Sequence, residues 1–152
     1  MNSANGKNRA SPKSPRHRAR ELAMQGIYQW RLSGAGEAQI AQRMKEEKNL
    51  GRYDVELFTG LLHGVLTRRV ELEAALEPHL DRSQNELSPV EFSILLMGAY
   101  ELLMQPQTPY RVVINEAVEL AKTYGGAEGH RFVNGVLDKL AATARPREVA
   151  AR

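Results

Sequence analysis

The sequence predicts an all-α fold, a compact bundle of six or seven helices. Three observations carry that prediction. Apolar residues recur at helical spacing in stretch after stretch, no stretch alternates with a period of two, and Ser-Pro, Pro and Gly signals fall where helices should begin or end. No internal repeat is present. Short loops between such helices give one layered bundle.

The first helix starts at Ser14-Pro15, an N-cap residue followed by proline at the first helical position. Ala19, Leu22, Ala23, Gly26, Ile27 and Trp30 then mark one face, and Ser33-Gly34-Ala35-Gly36 ends it. A short helix over about 37–47 puts Ile40 and Met44 inward, and Asn49-Leu50-Gly51 breaks it. One long helix is expected over about 53–76, with Phe58, Leu61, Leu62, Val65, Leu72 and Leu76 buried and Pro78 as its stop.

Ser88-Pro89-Val90-Glu91 has the spacing of a capping box, ahead of a stripe formed by Phe92, Leu95, Leu96, Ala99, Leu102 and Leu103. Thr108-Pro109 repeats the cap-then-proline pattern. Val112, Val113, Ala117, Leu120 and Ala121 face inward on the next helix, which Gly125-Gly126 closes. Phe132, Val133, Val136, Leu137 and Leu140 line the last helix, where Gly135 implies close helix packing. Residues 1–13 read as a disordered basic arm, 14–142 as the helical domain and 143–152 as a flexible tail.

Composition narrows the function. The chain of 152 residues has no cysteine, which excludes disulfides, thiolate metal sites and a cysteine nucleophile and fits a reducing cytoplasm. No apolar run approaches the roughly 18 residues that cross a membrane. His17, His63, His79 and His130 lack partners at metal-ligand spacing, and no P-loop, nucleophile elbow or dinucleotide turn is present. The sequence therefore reads as a non-enzyme without metal or cofactor.

Charge is distributed unevenly. Residues 1–20 hold six of the 21 basic residues (Lys7, Arg9, Lys13, Arg16, Arg18 and Arg20) and none of the 18 acids. Fifteen basic residues are left against all 18 acids, so the body is mildly acidic. A basic arm on such a body suits a polyanion, or a solubilising tail. Helix dipoles disfavour cations in a first turn, which makes the cluster costly without phosphates to quench it.

Three stretches together resemble the bacterial transcription antitermination factor family NusB. They are PRHRARELAMQGIYQW, SPVEFSILLMGAYELL and PYRVVINEAVELAKTYGGAEGHRFVNGVLDKL. The last is the most specific, and residues 33–80 carry no diagnostic motif. The resemblance implies an all-α fold of two small helical subdomains, about 14–80 and 81–142. It implies binding to single-stranded boxA-like RNA of leader and ribosomal transcripts. It also implies pairing with NusE, a small-subunit ribosomal protein, in the elongating RNA polymerase complex with other Nus factors. The surface kept for that partner would let the isolated chain form a homodimer.

Carried over by position, Arg16, His17, Arg18 and Arg20 match the family's basic RNA-contacting cluster, with His17 where another Arg is common. Tyr28, Tyr124, Glu128 and Arg131 match further RNA-side positions. Tyr28 reads equally as a boundary residue and Tyr124 as loop packing. Arg16 and Arg20, four residues apart, share a helix face that Arg18 does not. Glu86, Glu91 and Tyr110 match positions facing NusE, and Glu91 fits as the capping-box acid as well. Asn85, Ala127 and Gly129 depart from the family pattern. Two other readings stay open, a helical RNA-binding domain of an RNA-modification system and a DNA-binding regulator. The first would lack the cysteine nucleophile of an RNA cytosine methyltransferase, and the second a helix-turn-helix spacing.

Overall fold

A computed structural model describes residues 13–151, so the arm expected over 1–13 lies outside the described residues except for Lys13. Helix α1 spans Pro15–Ser33, α2 Glu37–Glu46, α3 Val55–Thr67 and α4 Arg69–Leu76. Helix α5 spans Pro89–Met104, α6 Tyr110–Tyr124, α7 Gly129–Ala144 and α8 Pro146–Ala150. Two 3₁₀ turns, Glu77–His79 and Gln84–Glu86, lead into α5, and no strand occurs among the described residues.

The α1 boundaries follow from local chemistry. Ser14 Oγ accepts from the His17 N–H at 3.0 Å, and Gly34 closes the helix in the left-handed region at φ 74°. The expected helix over 53–76 is two helices. The chain breaks at Arg68 (φ −109°, ψ 18°), where neither proline nor glycine marks the sequence. The break is tertiary in origin: it lets Val65 on α3 and Leu72 and Leu76 on α4 all reach zero exposure.

Helix α5 is the central element. Eleven of its 16 residues are buried, so it has no solvent face to speak of, as expected for a helix surrounded by others. It packs on α1, α3, α4, α6 and α7, while α6 and α7 pair with each other and α1 with α3. The buried side chains form one continuous cluster from Ala19 to Ala141.

Glycines set two of these contacts. A Cβ on Gly64 would collide with the Tyr100 ring, and one on Gly98 would lie 2.8 Å from Leu137 Cδ1. Gly135 differs from expectation: a Cβ there meets open space, so helix packing does not explain it. Val112 is 41% exposed rather than buried, and Trp30 and Phe132 are half-buried under the guanidinium groups of Arg69 and Arg82.

The last segment departs most from the sequence reading. Residues 146–150 form a helix rather than the flexible tail expected over 143–152, and Arg145 before them is buried. Its guanidinium donates to the carbonyls of Leu102 (2.8 Å), Glu101 (3.1 Å), Gln105 (3.0 Å) and Thr108 (3.0 Å). Of these, the Leu102 oxygen belongs to the last turn of α5, where a helix leaves carbonyls without partners, and Pro106 has no N–H to offer it. Glu148 completes the knot, accepting from Arg145 at 2.6 Å and from the Tyr110 N–H at 2.8 Å. That second bond caps α6, which Thr108 does not.

Among the described residues no helix is long and apolar enough to cross a membrane, and no group of three or more His, Cys, Asp or Glu could hold a metal.

Candidate nucleic-acid interface

Helix α1 sends its four N-terminal basic residues in three directions, because successive residues are about 100° apart around the axis. Arg16 turns toward α3, with NH1 3.4 Å from Asp54 Oδ2 and its side chain 54% exposed. His17 turns toward α6, where Nδ1 lies 2.8 Å from Glu116 Oε1. Arg18 turns the other way; its Nε donates to the Leu50 carbonyl at 2.8 Å.

Arg20 corrects the sequence reading. It is 2% exposed, and its Nε and NH2 donate to Glu101 Oε2 and Oε1 at 2.9 and 2.8 Å. Glu116 lies 3.7 Å from its NH1. Burial disfavours the charge, but the hydrogen bonds it donates to Glu101 and the fields of Glu101 and Glu116 keep the guanidinium firmly protonated. A phosphate has no route to this side chain. Arg16 and Arg20 do not act as a pair on one strand; Arg20 ties α1 to α5.

A different residue organises the exposed set. Glu21, unremarked in the sequence, is 1% exposed and receives three side chains. Its Oε1 accepts from Arg18 NH1 at 2.8 Å, and its Oε2 accepts from Lys13 Nζ at 2.7 Å and from the Tyr124 hydroxyl at 2.8 Å. Burial pushes its pKa up, yet the hydrogen bonds from Lys13, Arg18 and Tyr124 outweigh burial and hold it below the usual carboxylate range. Tyr124 moves oppositely: burial and the Glu21 carboxylate raise its phenol pKa. The one hint in sequence was Glu21's position directly after a run of basic residues.

Tyr124 remains 37% exposed although its hydroxyl is held. Tyr28 lies nearby, one turn beyond Met24 and Gln25, and the four line a shallow groove with Val90. A second, adjoining groove is lined by Lys13, Pro15, Arg18, Leu50, Gly51 and Arg52. Glu21 links the two, bonded to Lys13 and Arg18 of the basic groove and to Tyr124 of the aromatic one. Arg52, which no motif marked, joins the basic side through the Gly51 turn at φ 79°.

Glu128 and Arg131 stand beyond Tyr124 at the start of α7, exposed and 3.4 Å apart. The loop that carries them rests on Glu91. That carboxylate is 9% exposed; its Oε2 accepts from the Gly126 N–H at 3.0 Å and touches the position a Cβ on Gly129 would take. Glu91 is therefore not a surface residue facing a partner. Nor does its carboxylate close a reciprocal capping box: Ser88 Oγ accepts from the Glu91 N–H at 3.2 Å, while the side chain supports the loop. Glu86, in a 3₁₀ turn, is exposed, and Tyr110 is half-buried. These two lie at opposite ends of the 16-residue α5, about 24 Å of helix apart.

Comparison with known proteins accords with this architecture. The NusB family profile matches residues 17–142. Transcription antitermination protein NusB of Dechloromonas aromatica is 53% identical over 144 residues, 95% of this chain and 88% of that protein. The NusB of Nitrosospira multiformis is 56% identical over 133 residues, 88% and 84% of the two chains. Among solved structures, T. maritima NusB superposes with a TM-score of 0.77 at 28% identity, covering 91% of this chain and 99% of that one. Antitermination factors NusB and NusE in complex with double-stranded RNA give a TM-score of 0.76 at 29% identity, covering 84% and 96%. With the profile spanning the bundle from His17 on α1 to Ala142 on α7, and relatives above half identity over nearly its whole length, this chain belongs to the NusB family.

Proposed function

We propose that this chain is a non-enzymatic, cytoplasmic transcription antitermination factor that binds single-stranded boxA-like RNA together with NusE in the elongating polymerase complex. The observation that carries the RNA side is the junction at Glu21, where Arg18 and Lys13 lie beside the exposed ring of Tyr124. Cations next to an exposed aromatic ring suit a strand whose phosphates and unstacked bases are contacted together. Arg16 and Arg131, both largely exposed, extend the positive surface to either side. Glu128 offers an acceptor for a base amino group.

A solved NusB–NusE complex holds double-stranded RNA. Stacking on Tyr124 favours unpaired RNA here, because a base inside a duplex is already stacked on its neighbours. On the protein side, Glu86 and Tyr110 remain the contacts proposed for NusE, while Glu91 acts through the loop it supports.

The test is titration of labelled boxA-like RNA, a scrambled strand, duplex RNA and duplex DNA, with and without NusE, at two salt concentrations. The boxA-like strand should bind most tightly, and NusE should tighten it further. Equal binding of all four ligands, unchanged by NusE, would reduce the surface to a generic polyanion patch.

A further inference from the structure

We infer that Glu21 is a positioning residue of the RNA surface: its buried carboxylate aims the Tyr124 ring and withholds Arg18 and Lys13 from non-selective attraction to phosphate. This role rests on the RNA reading above. Glu21 holds three groups that RNA would use, and touches RNA with none of its own atoms, being 1% exposed.

The geometry separates two effects. Tyr124 is bonded to Glu21 through its hydroxyl at 2.8 Å, which anchors the far end of a ring that stays 37% exposed. A ring already held in place costs less ordering when a base stacks on it. Arg18 and Lys13 each donate to the same carboxylate, at 2.8 and 2.7 Å. A buried anion beside two partly exposed cations lowers the field that a distant phosphate feels. A phosphate gains their full charge only by arriving close enough to compete for their remaining N–H groups. Indiscriminate binding is suppressed and close, shape-matched binding is kept, which is how an opposing charge contributes specificity rather than affinity.

The two effects predict different outcomes for two substitutions in the full chain. Glu21→Leu removes the acceptor for all three side chains. Binding of scrambled RNA should tighten, and its salt slope should steepen by about 0.7 log units for each cation released. Preference for boxA-like over scrambled RNA should fall about tenfold, the order expected when one stacked base is lost. Tyr124→Phe frees only the ring. It should lose the preference and leave the salt slope unchanged. The two losses of preference should not add, because both break the same contact.

Circular dichroism and urea unfolding check that each variant is folded. If Glu21→Leu does not fold, Tyr124→Phe still decides the aromatic half and Glu21→Gln the electrostatic half. Glu21→Gln should tighten scrambled-RNA binding, since the charge that masks Lys13 and Arg18 is gone while an acceptor of similar shape remains; an unchanged scrambled-RNA affinity in that protein overturns the electrostatic half. A folded Glu21→Leu that keeps both the parental preference and the parental salt slope overturns the role. So does a Tyr124→Phe protein with full preference. A parental chain that prefers no RNA overturns the RNA reading itself, and this role with it; that result is separable because it appears before any substitution is made.

Discussion

Arg20 on α1 and Glu101 on α5, 81 residues apart in the chain, meet in a two-bond ion pair at 2.8 and 2.9 Å with both side chains 3% exposed. The pair is the polar pin between the N-terminal helix and the central helix, with the Glu116 carboxylate of α6 3.7 Å from the same guanidinium. Its burial turns a member of the basic cluster into a structural residue.

Arg20→Ala should therefore destabilise the fold by about 3–5 kcal/mol, since it leaves the Glu101 carboxylate buried without its partner. Urea unfolding measures this. Replacing both residues, Arg20→Leu with Glu101→Leu, should recover much of the loss, because no orphan charge remains. An Arg20→Ala protein as stable as the parent would mean the pair is open in solution.

Arg18 and Arg20 should separate cleanly in RNA binding. Arg18→Ala should flatten the salt dependence of boxA-like RNA binding by about 0.7 log units, one phosphate contact. Folded protein carrying Arg20→Lys should show the parental slope. Anisotropy titrations at several salt concentrations distinguish the two.

Stability should depend on pH through Glu21. Its folded pKa lies below its unfolded value of about 4.3. The contribution is thus fully present above that value and is lost as pH falls through the folded pKa. Tyr124 has the opposite sign, its stabilising contribution being present below about pH 10 and lost as pH rises through the raised phenol pKa. Unfolding of the parent and of Glu21→Gln as pH falls from about 7 to about 3 should show a steeper decline in the parent.

Two glycines four residues apart on α3 should respond in opposite directions. Gly64→Ala drives a methyl into the Tyr100 ring and should cost about 1–3 kcal/mol. Gly60→Ala meets open space and should stabilise by about 0.5–1 kcal/mol through helix propensity. Thermal melts of the two variants read this directly.

Arg145→Met should cost about 1.5–3 kcal/mol or more, since one guanidinium serves two carbonyls in the last turn of α5 and two in the α5–α6 connection. Hydrogen exchange should rise first in the α5–α6 connection. A variant with unchanged protection there would show that the segment from Arg145 onward contributes nothing to the bundle.

The helices themselves were legible in the sequence. Ser14-Pro15, Gly34 and Ser88 act locally, through caps and backbone conformation, and local rules read them correctly. The residues the apolar stripes named on α1, α5 and α7 are buried or half-buried, because helical period is a property of adjacent residues, but α5 buries eleven residues where its stripe named six. The family, too, was readable from three ordered motifs, and the profile match over 17–142 bears it out.

What only the tertiary structure decided is where the charges go. A basic cluster looks uniform in sequence, yet rotation about α1 sends Arg16 to Asp54, His17 to Glu116, Arg18 to Glu21 and Arg20 to Glu101. Three of those four acids lie 38 or more residues from the basic residue they meet, so no local pattern names them. The same holds for the break at Arg68, the burial of Glu91 under Gly126 and the burial of Arg145 against α5. Sequence periodicity sets which face of a helix is apolar. It does not set what stands opposite a polar side chain, because an ion pair or a cap from a distant segment exists only after the helices have packed.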